Sequence, residues 1–146
     1  MLQNFESLVL IWLGIGFITF ITLLKIPAPY GKFSKTNWGP MIPSKLGWIV
    51  MEIISPLALL YFFLNGNIEK TPTNITFMSL WTLHYFNRSV IYPLRQNKPA
   101  QMPLLIAVLA FLFNVMNGYI NGTYFGSIQE YSAEYMSNWN FIIGVF

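Results

Sequence analysis

Four apolar stretches, Leu8 to Leu24, Leu46 to Leu64, Ile75 to Leu94 and Met102 to Ile120, take up most of the chain. At about 1.5 Å per helical residue, each crosses or nearly crosses a hydrocarbon layer roughly 30 Å thick. Such a layer holds no water for backbone N–H and C=O groups, so these segments satisfy them internally as α-helices. Composition agrees, because 55% hydrophobic and only 9% charged residues is far too apolar for a soluble domain of this length. The expected fold is all-α: a polytopic membrane helical bundle, one domain over residues 1–146, with four transmembrane helices plus the start of a fifth at Phe141. The apolar run from Phe141 to Phe146 is too short to span a bilayer, which reads as the N-terminal part of a longer protein.

The first stretch is a retained span rather than a secretory signal. Glu6 precedes it in place of a basic region, and Ile26-Pro27-Ala28-Pro29-Tyr30 follows in place of a small-residue cleavage site. Lys25, Lys32, Lys35 and Lys45 fall in the first connection and Arg95 and Lys98 in the third. Cations are retained on the cytoplasmic side, so these two connections should face the cytoplasm and the N-terminus the lumen or exterior. The host membrane is the endoplasmic reticulum in a eukaryote or the inner membrane in a bacterium. The net charge of +3 then describes orientation, and no basic block with interleaved aromatics suggests a nucleic-acid partner. The chain has no cysteine and a single histidine, which removes thiolate chemistry and leaves no ligand cluster for a metal.

Ionisable groups inside the spans stand out, since each costs roughly 3 kcal/mol or more on insertion scales and usually marks a site. Glu52 lies seven residues from Lys45, and Arg88 seven residues from Arg95 on a helix running the opposite way, which sets the two at one level. Tyr85 is one turn from Arg88 on the same face, which Trp81 and Tyr92 extend; Trp48 lies on the Glu52 face. The expected product is a cytoplasm-facing pocket walled by aromatics, with one carboxyl, one phenol and one guanidinium. A phenol, and a carboxyl kept neutral by apolar surroundings, could both donate to a carbonyl oxygen and stabilise an enolate. The alternative for Glu52 and Arg88 is an ion pair that only locks two helices. His84 falls on a different helical face and reads as interhelical or interfacial.

The run His84-Tyr85-Phe86-Asn87-Arg88, with Ile91-Tyr92-Pro93, Lys98-Pro99 and Met102-Pro103-Leu104-Leu105, resembles the third-span motif and following loop of the steroid 5-alpha-reductase family, the 3-oxo-5-alpha-steroid 4-dehydrogenases. Pro29-Tyr30-Gly31-Lys32, then Trp48-x-x-x-Glu52 with Ser55 and Pro56, and Asn117-Gly118 are similar to three further family elements, in the same order. The resemblance implies an integral membrane oxidoreductase that uses NADPH to saturate the carbon–carbon double bond of a 3-oxo-4-ene steroid or similar lipid enone. It implies Tyr85 and Glu52 as the catalytic pair on the 3-oxo group, and Trp48, Arg88, Tyr30 and Gly31 as substrate-binding residues. Met51 stands where the family often has glutamine, and Trp139-Asn140-Phe141 lacks the acidic and basic members of a family passage. The main cofactor-binding residues are expected beyond Phe146, so the chain alone should be inactive.

Other signals are weaker. Gly14-x-Gly16 reads as helix packing or chance. Sequons occur at Asn74, Asn87 and Asn121; the second is intramembrane, and the other two would be luminal in a eukaryote. Rival readings are a polyprenal or enoyl-thioester reductase, a small proton-coupled transporter using Glu52, and a non-catalytic membrane scaffold.

Overall fold

The structure is a computed structural model that describes residues 2–97 and 100–145. Lys98, Pro99 and Phe146, named above, lie outside the described residues, as does the side chain of Lys32. The fold is all-α apart from one short antiparallel pairing of two strands distant in sequence. Helix α1 is Leu2–Leu23, strand β1 Met41–Pro43, α2 Ser44–Leu64, α3 Pro72–Phe86, α4 Tyr92–Arg95, β2 Gln101–Pro103, α5 Leu104–Thr123 and α6 Trp139–Val145. Three helical stretches are long and apolar enough to cross a membrane: Gln3–Leu23, Ser44–Leu64 and Leu104–Ile128. The stretch expected as a third span is helical in three pieces, α3, a π turn Asn87–Ile91, and α4. Its uninterrupted α-helical part is only 15 residues long.

Helices α2 and α5 form the centre of the molecule, and their starts are fixed by the pairing of two short strands distant in sequence. β1 pairs antiparallel with β2, Ile42 opposite Met102. The first amide of each helix, which has no acceptor inside its own helix, then finds one beside the other strand. Ser44 N donates to Ala100 O at 2.9 Å, and Leu104 N to Pro40 O at 2.8 Å. This pairing puts the first and third connections on one side of the bundle.

Helix α2 touches α5 and the π turn Tyr124–Ile128 that continues it through glycines spaced four apart. A Cβ on Gly118 would meet Ala58 and the carbonyl of Ser55; one on Gly122 the carbonyl of Leu59; one on Gly126 the backbone of Phe63. Small residues at this spacing let two helix backbones approach closely where water supplies no hydrophobic drive. By contrast, a Cβ on Gly14 or Gly16 meets nothing within 4 Å, so that pair packs no helix here. Helix α1 has no buried residue among those described, and it touches α5 through Trp12 stacked on Phe113, centroids 5.7 Å apart. Its Ser7, Thr19 and Thr22 hydroxyls donate to carbonyls four residues back, so none is left unpaired.

The opposite end is closed by a polar knot. Thr71 caps α3, its hydroxyl oxygen accepting from Asn74 N. The fully buried Asn74 donates to the carbonyls of Phe125 and Gln129 and accepts from Tyr131 N. Lys70 donates to the carbonyls of Gly66, Ile68 and Gly126. The side-chain amide of Asn74, the first of the three sequons, is thus sealed inside this knot.

Candidate active site

Pro56 sits inside α2 and has no N–H to offer the carbonyl of Glu52, one turn earlier. The helix is thus perturbed at the position that carries the acid. Across from it, the π turn Asn87–Ile91 widens the third helical stretch by inserting an extra residue per turn, a device common at functional positions. Ser89, buried within that turn, donates to the carbonyl of Tyr85 at 2.7 Å and supports the distorted backbone. Arg88, in the first half of the turn, reaches α2.

There it meets Glu52 in a two-pronged pair, Nε to Oε2 at 3.0 Å and Nη2 to Oε1 at 2.5 Å. The Glu52 side chain is 5% exposed and that of Arg88 40%. The expected levelling of acid and cation is realised, with both carboxylate oxygens engaged by one guanidinium. Arg88 also lies over the ring of Trp48, Cζ 5.2 Å from its centroid. Trp48 in turn is held edge-on by Tyr92 at 5.0 Å and Tyr30 at 6.4 Å.

One cavity of about 300 Å³ gathers these groups: Tyr30, Trp48, Glu52, Tyr85 and Arg88 all line it, together with Asn114. That is the lower end of the size range of small-molecule sites. Gly31 does not line it. With φ of 58°, Gly31 makes the turn after Tyr30 that an L side chain disfavours, and it borders an adjoining recess that shares Tyr30 and Trp48. His84 does line the main cavity, its ring edge-on to Tyr85 at 5.3 Å, which corrects its assignment to a separate face. Successive helical positions point about 100° apart, and a ring as long as imidazole can still turn back onto its neighbour.

The Tyr85 hydroxyl bonds neither Glu52 nor Arg88. It donates to Asn114 Oδ1 at 3.1 Å and accepts from Asn117 Nδ2 at 3.4 Å. Its ring stacks on Trp81 at 5.3 Å, and Trp81 Nε1 donates to Ser55 Oγ at 3.2 Å. Asn114 is the site residue that sequence reading missed. A neutral amide in the apolar run Leu104 to Met116 carries little signal; its four-residue offset from Gly118, on the face turned to α2, could have found it. Among the described residues no glycine-rich turn and no cluster of free cations faces the cavity, and Arg88 is committed to Glu52. Apart from the Glu52–Arg88 pair and His84, the described residues that line the cavity are uncharged. They also include no group of three metal-ligating side chains.

Comparison with known proteins follows the same lines. The family profile for 3-oxo-5-alpha-steroid 4-dehydrogenase matches residues 100–146. The chain is 36% identical over 137 residues to steroid 5-alpha-reductase DET2 of Arabidopsis thaliana, covering 87% of this chain and 51% of that protein. It is 37% identical over 134 residues to the Gossypium hirsutum protein of the same name, with the same coverage of 87% and 51%. With human 3-oxo-5-alpha-steroid 4-dehydrogenase 1 it shares 24% over 133 residues, 90% of this chain and 51% of that one. The chain spans about half the length of the curated relatives it matches. Motifs in sequence order, a helical membrane architecture and this level of identity agree, and the chain belongs to the steroid 5-alpha-reductase family.

Proposed function

We propose that the whole protein reduces the carbon–carbon double bond of a 3-oxo-4-ene steroid or a similar lipid enone at the cavity between α2, α3 and α5. The observation that carries this reading is the convergence of the Tyr85 hydroxyl and the Glu52–Arg88 pair on one aromatic-walled cavity, in a chain 36% identical to a steroid 5-alpha-reductase. NADPH, when bound, supplies the hydride, and its main contacts are expected outside this chain. The chain's own residues hold the enone and polarise it. Tyr85 donates to the carbonyl oxygen, whose negative charge grows as the double bond is reduced. Glu52 faces the same oxygen; for it to donate there it must carry a proton and release one of its two bonds to Arg88. Arg88 keeps a positive charge beside the developing enolate, and Trp48 and Tyr30 flank the apolar skeleton and exclude water. We further read the Pro72 to Arg95 stretch as the third of four spans and α6 as the start of a fifth. The N-terminus then lies in the lumen of the endoplasmic reticulum or outside a bacterial inner membrane.

The transporter reading is not carried further, because a carboxylate held on both oxygens by a guanidinium is not free for a cationic cargo. The test is direct. Expressed as its natural full-length gene product, the protein should oxidise NADPH on addition of a 3-oxo-4-ene steroid. Tyr85→Phe should lower kcat about 10²-fold or more, the scale of losing one donor to an oxyanion, with membrane insertion unchanged. An unaltered rate in Tyr85→Phe would sink the assignment.

A further inference from the structure

The Tyr85 hydroxyl is one link in a line of hydrogen bonds whose direction is fixed at both ends by backbone carbonyls. Asn121 Nδ2 lies 2.9 Å from the carbonyl of Asn117. A carbonyl only accepts, so that nitrogen is the donor, and the 3.1 Å contact beside it must end on Asn117 Oδ1. This turns Asn117 Nδ2 toward Tyr85, whose oxygen accepts at 3.4 Å. At the other end, Asn114 Nδ2 lies 2.7 Å from the carbonyl of Met51. That contact turns Asn114 Oδ1 to Tyr85, which donates at 3.1 Å. All donors therefore point one way, from Asn121 through Asn117, Tyr85 and Asn114 to α2. Asn114, Asn117 and Asn121 are spaced three and four apart, one face of α5.

We propose that Asn117 and Asn114 are positioning residues that keep the Tyr85 hydroxyl a hydrogen-bond donor toward the cavity, with its proton held on Asn114 until a ligand oxygen takes that place. This deepens the functional reading above and rests on Tyr85 acting on a carbonyl. Because Asn117 can offer Tyr85 only an N–H, the tyrosyl proton cannot turn away from the cavity to that side. Asn114 Oδ1 is the resting acceptor, and an acceptor-only oxygen such as a ketone can replace it. The bond from Asn117 stays in place during the exchange and strengthens the O–H as a donor, since hydrogen bonds in line polarise one another. Asn121 sets the polarity and Met51 anchors it. The amide ladder thus selects for a carbonyl over a group that must donate to Tyr85.

The test is the phenol C–O stretching band of Tyr85 in the ligand-free, full-length protein, isolated as the infrared difference between each form and its Tyr85→Phe counterpart. Proton donation by a phenol raises this frequency and acceptance lowers it. Asn114→Leu should move the band down and Asn117→Leu should move it up. Asn114→Ala and Asn117→Ala, smaller changes less able to disturb folding, should give the same opposite signs. Shifts of the same sign, or an unmoved band in both well-folded variants, overturn the proposal; a merely structural role predicts no such opposition. Kinetically, Asn117→Leu should lower kcat on an enone about three- to tenfold, the effect of one lost hydrogen bond, with KM changed less than kcat. The band is read without substrate, so an inactive parent protein would fail the functional reading while the direction of the ladder is still decided.

Discussion

Glu52 is nearly fully enclosed, and its charge is tolerable there because Arg88 holds both oxygens. Removing the cation alone leaves a buried carboxylate unpaired, a change that costs about 3–5 kcal/mol when both partners are fully enclosed. The Arg88 side chain is 40% exposed, so solvent and a shifted side chain recover part of this. Arg88→Leu is therefore expected to destabilise by about 2–3 kcal/mol, and Glu52→Leu in the same background to restore most of the loss. Unfolding of the four proteins of this double-mutant cycle, measured in one detergent, checks the coupling; two additive losses would show that the pair is not energetically linked. This pair was legible in the sequence because charges within apolar runs are rare and their depth can be counted from flanking cations. Asn114 was not, since its function depends on which side chain α3 brings opposite it. Nor was the true partnership of Tyr85 evident, as helical spacing sets its face but not its acceptor.

At the scale of elements, the close approach of α2 and α5 rests on Gly118, Gly122 and Gly126, where any Cβ would run into backbone or Cβ atoms of the facing helix. Those atoms belong to rigid helices and cannot swing aside. Gly122→Leu is expected to destabilise by about 3 kcal/mol, the upper part of the usual range for overpacking. It should also separate Asn114 from Met51 and so lower the rate of a functional full-length protein. Gly14→Leu, in a position open on all sides, is expected to leave stability within about 0.5 kcal/mol of the parent. Comparing thermal midpoints of the two variants tests the contrast, and equal effects would remove the glycine face as the reason for close packing. The four-residue spacing was present in the sequence but only Asn117-Gly118 was noted. The two π turns and the β1–β2 pairing left no trace that periodicity could find. A π turn keeps the same apolar composition as the α-helix around it, and three-residue strands ending in proline fall below any strand pattern.

For the whole molecule, the structure brings the first and third connections together through β1 and β2 while the knot around Asn74 joins the second to the segment after α5. The site lies toward the paired-strand end, with Tyr30 and Met102 in its lining, and the proposed function requires that end to face the compartment that supplies the hydride donor. This makes orientation a functional matter, and the absence of cysteine from these 146 residues gives a clean way to measure it on this chain. Lys35 and Asn97 are exposed at the paired-strand end and Glu69 and Glu130 at the other. Introduced one at a time as cysteine in sealed vesicles of known sidedness, Lys35→Cys and Asn97→Cys should react with a membrane-impermeant maleimide from the cytoplasmic face. Glu69→Cys and Glu130→Cys should react only from the opposite face. Labelling of Lys35→Cys and Glu69→Cys from the same side would mean that α2 does not cross. The reverse pattern for all four would put the cavity mouth on the luminal side, away from a cytoplasmic NADPH pool, and the reductase proposal would lose its route to reductant.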